Sequence, residues 1–159
     1  GAPAINGLTI VSNQAVYVQG DYNSGDWKPA SFLADSLNVL SNAWTDSWES
    51  ASVGLGDRIA SETTINAAFF AGTDVSGGLE NYPRFHEKWS GKALNYLGSF
   101  VSLDTPRHVD GAWGQSGVYS APRRNWGYDL RFNNAANLPP LSPRFVYLKQ
   151  DLFVRHYEL

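Results

Sequence analysis

Apolar and polar positions partly alternate between Leu8 and Gln19. This period of two predicts half-buried strands over Leu8–Val11 and Val16–Gln19, with a corner at Ser12-Asn13. A polar loop, Gly20 to Asp26, follows; its Gly, Asn and Asp residues supply positive φ and local side-chain caps. Ala30 to Trp44 has two readings. Phe32, Leu33, Ser36, Leu37 and Leu40 fall near helical spacing, but Asn38 to Asn42 is flanked by polar residues and lacks strong helix formers. Two strands, Phe32–Ala34 and Leu37–Leu40, bent at Asp35, are therefore preferred.

Thr63 to Gly72 reads as another strand, with Ala67 and Ala71 small enough to let neighbouring layers approach, and it ends on glycine as the first unit does at Gly20. Lys92 to Leu103 repeats the pattern around a corner at Gly98. Thr45 to Glu62 carries little periodicity and predicts an exposed loop, whereas Arg84 to Trp89, after Pro83, predicts a short helix. The unit of strand, small corner and strand recurs at Leu8, Phe32 and Leu94, with a partial copy at Ile65. Its spacing is irregular, as insertions on one side of a coil would produce. The expectation is a mainly β fold: a β-solenoid-like or mixed β-sheet scaffold with long loop insertions and little helix.

From Asp104 onward the chain is richer in Arg, Pro, Trp and Tyr. Residues 104–159 are read as a loop- and proline-rich closing segment, in which Leu138 to Pro143 is held extended by proline and Arg144 to Arg155 forms a closing strand or hairpin. With 159 residues, one domain spanning 1–159 is expected. Charged residues make up 17%, which leaves a surface rich in Asn, Ser, Thr, Gln and aromatic groups. The formal net charge of −3 disfavours a general grip on nucleic acid, which needs clustered Lys and Arg. The chain contains no cysteine, so disulfides and thiolate metal sites are excluded. It also lacks methionine, position 1 included, which points to processing or a cut ahead of Gly1. No run approaches the roughly 20 apolar residues of a membrane-spanning helix, so any anchor is expected upstream or on another polypeptide.

Asp21, Asn23 and Asp26 offer oxygen ligands in a glycine-containing loop and form a weak calcium candidate, set against turn capping by the same side chains. His86, His108 and His156 have no paired metal-ligand spacing. No Gly-x-Ser-x-Gly elbow occurs, and the carboxylate pairs Asp46/Glu49 and Glu80/Glu87 lie in loops that nothing in the sequence brings together. Neither a catalytic residue nor a cofactor is assigned. The aromatic residues carry more information, because exposed rings stack on sugars or bases and anchor protein interfaces. Trp27 and Trp48, in polar insertions, and Tyr22 are candidates for ligand or partner contact, whereas Trp44 is read as plugging the end or flank of a coil. Arg123, Arg124 and Trp126, joined by Arg107 and His108, form a candidate basic-aromatic patch for single-stranded nucleic acid. For Arg124 and Trp126, an arginine stacked on an aromatic in a fold-closing segment is the commoner outcome.

Several strings together resemble the C-terminal region of PilX-type pilus-assembly proteins, the large minor pilins of type IV pilus systems: Gly7–Val11 with Val16–Asn23, Ala34–Trp44 (ADSLNVLSNAW), Thr64–Gly72 (TINAAFFAG), Gly77–Trp89 (GGLENYPRFHEKW) and Arg124–Leu141 (RNWGYDLRFNNAANLPPL). The resemblance implies an extracellular, pilus-associated module that serves assembly, adhesion or uptake and not catalysis. It also implies other pilin-like subunits as partners. The N-terminal apolar helix of such proteins does not occur in this sequence, so it is expected upstream or on a separate subunit. Two alternatives accompany this expectation: a carbohydrate-binding or polysaccharide-processing β-helix protein contacting surface glycan, and a DNA-binding competence pilin.

Overall fold

The computed structural model describes residues 5–49, 52–72, 83–102 and 120–142. Strand accounts for 49% of these residues, and no helix reaches seven residues, so the fold is mainly β. The strands are β1 (Leu8–Gln19), β2 (Ala30–Leu40), β3 (Thr63–Ala71), β4 (Arg84–Phe85), β5 (Ala93–Ser102) and β6 (Arg123–Tyr128). They form one sheet in the order β1-β2-β3-β5-β6, with β4 beside the far half of β2, and every pairing is parallel.

Parallel neighbours need a crossover, commonly a helix. Here the crossovers, among the described residues, contain no α-helix but loops, short 3-10 turns such as Asp46–Glu49 and Leu55–Asp57, and the two-residue β4. The Thr45 to Glu62 insertion is thus largely exposed, as its composition implies, while Ala60 at its end is buried and Ile59 bridges Lys88.

The corners read from the sequence differ from those observed. β1 is continuous through Ser12-Asn13; its register against β2 slips between Ser12 and Ala15, a bulge and not a turn. β2 likewise runs unbroken through Asp35, confirming strand over helix for this segment. Its core-facing positions are Ala30, Phe32 and Ala34, then Leu37 and Val39, so the alternation changes phase at Asp35-Ser36. A phase change mimics a chain break in sequence, yet the strand continues through it. Gly98 is no corner either, because β5 passes through it in unbroken register with β3. Gly20 and Gly72 do end their strands, at φ of 73° and 81°, where a side chain would be strained.

The helix expected over Arg84 to Trp89 is not formed. Arg84 and Phe85 pair with Asn38 and Val39, and burial of Phe85 and Trp89 outweighs the local signal of Pro83. The closing strand or hairpin expected over Arg144 to Arg155 lies outside the described residues.

The core is an aromatic column built on aligned registers. Phe32 faces Phe69 at 5.8 Å, Phe69 faces Phe100 at 5.6 Å, and Phe100 meets Trp126 at 5.1 Å. Tyr22 abuts one end of this column, 5.2 Å from Phe32, and Tyr96 stacks on Phe100 at 4.2 Å. Polar side chains form a second ladder, Thr64 to Asn95 to Asn125, through Asn95 Nδ2 to Thr64 Oγ1 (3.4 Å) and Asn125 Nδ2 to Asn95 Oδ1 (2.8 Å).

Candidate functional site

The loop after β1 is held by its own polar groups. Asp21 Oδ1 accepts from the Thr64 amide at 2.7 Å and from Asn42 Nδ2 at 2.9 Å, and Asn42 Oδ1 accepts the Asp21 amide at 2.9 Å. Asn23, at φ 58°, donates through Nδ2 to the carbonyls of Lys28 and Asn66 and accepts the Lys28 amide. Asp26, further out, pairs with Lys28 at 3.0 Å. The three calcium candidates therefore serve separate partners: the oxygens of Asp21 and Asn23 accept backbone amides, and those of Asp26 pair with the Lys28 ammonium. Among the described residues no three His, Cys, Asp or Glu side chains are grouped to hold a metal.

Tyr22 is half-buried beside this loop. Its backbone is pinned to β3 by Tyr22 N to Thr64 O (2.9 Å) and Asn66 N to Tyr22 O (3.1 Å), and burial raises its phenol pKa. The ring lines a cleft of about 390 Å³ shared with Ile5, Leu8, Asn23, Asp26, Lys28 and Ala30.

The expectation that Trp27 and Trp48 stand exposed is corrected: both are half-buried. The Arg131 guanidinium lies 4.2 Å from the centre of the Trp27 ring, and Phe132 packs at 6.2 Å. Arg131 in turn forks onto Asp129, Nε to Oδ1 at 2.7 Å and Nη2 to Oδ2 at 2.8 Å. Burial works against ionisation of Asp129, but the hydrogen bonds and charge of Arg131 prevail and hold its carboxyl below the usual range. Trp48 packs edge-on against Trp44 at 5.7 Å, so each tryptophan covers the other.

At the other end of the sheet, Arg124 and Trp126 share a face of β6. The Arg124 guanidinium sits 5.1 Å from the Trp126 ring, and Trp126 leans on the core. Arg123 points the other way and meets Glu62 at 3.4 Å, an exposed pair of little energetic weight. The two arginines of the patch are thus divided between opposite faces. Arg107 and His108 lie outside the described residues. A cleft of about 280 Å³ opens beside Trp126, lined by Tyr96, Gly98, Ser99, Phe100, Gly127 and Tyr128.

Glu87 is fully buried, and its carboxylate accepts the Ser41 amide at 2.6 Å and the Ser41 hydroxyl at 2.5 Å. Ser41 Oγ also accepts from the amides of Ala43 and Ser61 at 3.1 Å each, so the Ser41 hydroxyl ties the end of β2 to the 41–61 loop while the Glu87 carboxylate holds Ser41 in place. Burial raises the Glu87 pKa against the opposing Ser41 bonds. Sequence reading paired Glu87 with Glu80, which lies outside the described residues. The bond to Ser41 spans 46 positions and leaves no spacing signal.

His86 Nε2 donates to Asn38 Oδ1 at 2.8 Å. Burial first, then the charges of Arg58 and Arg84, lower its pKa. An unfolded chain therefore takes up the His86 proton before the folded one does, and this group costs stability as pH falls below about 6.5. His86→Gln is expected to flatten the loss of urea midpoint between pH 7.5 and 5.5. An unchanged slope would assign the pH dependence elsewhere.

Comparisons with protein-family models, with curated proteins and with solved structures return no match.

Proposed function

We propose that this chain is a structural and adhesive module, not an enzyme, of an extracellular type IV pilus-like assembly, with its strands wound as a β-solenoid. Supporting the winding are parallel neighbours, whose connections hold no α-helix among the described residues, and near-constant steps across β3, β5 and β6, where Thr63 faces Leu94 and Leu94 faces Arg124. Against a reacting centre stand the structural uses of the buried carboxylates Glu87 and Asp129 and of the half-buried Asn23.

The observation that carries the reading is the outer edge of β1. Sheet edges are ordinarily blunted by charge, proline or shortness. β1 is twelve residues long with no charged residue and no proline, and it exposes Val11 (71%) and Tyr17 (55%). Among the described residues only β2 pairs with it. Such an edge suits addition of a neighbouring subunit's strand, in which main-chain bonds give affinity and alternate side chains give selectivity. The opposite edge, β6, is half as long and carries Arg123 and Arg124.

Val11→Lys places a charge on this edge without touching the core. Capture of pilin-like subunits is expected to fall at least tenfold, with Tm within about 2 °C of the parent, as for other exposed substitutions. Unchanged capture would sink the assembly reading.

A further inference from the structure

We propose that the cleft between Ile5, Leu8 and Tyr22 is a binding subsite for one neutral pyranose unit of a surface glycan. The proposal rests on the adhesive part of the reading above and names its ligand.

Three features carry it. The cleft, about 390 Å³, is walled by the Tyr22 ring, Leu8, Ala30 and Ile5, which offers an apolar surface to the C–H face of a sugar. That wall is set in advance. The Tyr22 backbone is bonded on both sides to β3, its ring rests edge-on against Phe32, and Asn23 spends its amide holding the loop, so little ordering remains to be done on binding. The rim then presents one acceptor and one donor side by side. Asp26 and Lys28 are 3.0 Å apart, with side chains 85% and 40% exposed. The ammonium keeps further N–H groups and the carboxylate further lone pairs beyond their shared contact.

Adjacent hydroxyls on a pyranose match such a pair, because each hydroxyl both donates and accepts. A purely apolar ligand would leave the pair unused. An anionic one would meet the Asp26 carboxylate, and among the described residues lining the cleft Lys28 is the only cation.

Saturation-transfer NMR on the full chain with a panel of methyl glycosides of neutral hexoses and N-acetylhexosamines tests this. At least one member is expected to bind with Kd near 1 mM, and Asp26→Ala and Lys28→Ala, both at the rim, are each expected to weaken it at least fivefold with Tm unchanged. The same binding is expected in Val11→Lys, which separates the two readings: sugar binding without subunit capture keeps the subsite and locates assembly on the β1 edge. No transfer from any sugar, or transfer that survives the Asp26→Ala/Lys28→Ala double variant, overturns the subsite.

Discussion

Gly98→Ala is expected to cost about 4 kcal/mol, at the upper end for single substitutions, or to prevent folding outright. The added Cβ would run into the backbone carbonyl oxygen of Ala67 and the hydroxyl of Tyr96. Tyr96 folds back over this position to donate to the Ala67 carbonyl at 2.5 Å while its ring packs against Phe69, Phe100 and Trp126. Rotating the tyrosine away would break that column, yet the clash with the β3 backbone would remain. The ladder between β3 and β5 must therefore spread. Overpacking of this kind ordinarily costs 1 to 3 kcal/mol, and here the obstacle is main chain and not a yielding side chain. Urea unfolding checks the magnitude. A midpoint near that of the parent would mean that β3 and β5 are not paired across Ala67 and Gly98.

Glu87→Ala is expected to lower stability by about 3 to 5 kcal/mol, since each buried donor left without an acceptor costs about 1 to 3 kcal/mol and a cavity is added. In a chain of this size that corresponds to a fall in Tm of roughly 10 °C. Glu87→Gln keeps an acceptor for the Ser41 amide but turns an NH₂ toward Ser41 Oγ, whose lone pairs already serve Ala43 and Ser61. It is expected to lose about half as much. The pH dependence has a defined sign. Because the folded state raises the Glu87 pKa, the protein holds this proton to higher pH than the unfolded chain does, and the associated stability is present at low pH and lost as pH climbs from about 4.5 through the raised value. The gap between the parent and Glu87→Gln is therefore expected to narrow on the alkaline side, and calorimetry at several pH values reads it directly. A gap that widened would reverse the assignment.

The β class was legible because Leu8 to Gln19, Thr63 to Gly72 and Lys92 to Leu103 alternate or carry β-branched and aromatic residues. The corners were not, because a bulge at Ser12 and a phase change at Asp35 break the period of two just as a turn does. Pro83 misled for a related reason: it fixes its own φ, but whether Arg84 and Phe85 become helix or strand is decided by the Asn38 and Val39 backbone that awaits them. The candidate sites were legible in part. The loop chemistry of Asp21, Asn23 and Asp26 was visible in their types, and capping was among its readings. Trp27 looked exposed because its neighbours are polar, whereas Asp129, Arg131 and Phe132, about a hundred positions on, cover it. The Glu87–Ser41 bond spans 46 positions, and no local pattern announces it.

Amide hydrogen exchange, read strand by strand with and without purified pilin-like subunits, tests most directly whether this molecule is built to be extended at one edge. In a parallel ladder only alternate β1 amides are engaged by β2, and the others face outward. The outward amides between Leu8 and Gln19 are expected to gain protection on assembly while those of Arg123–Tyr128 do not. Protection confined to β6, or absent from both edges while the subunits demonstrably associate, would contradict the account.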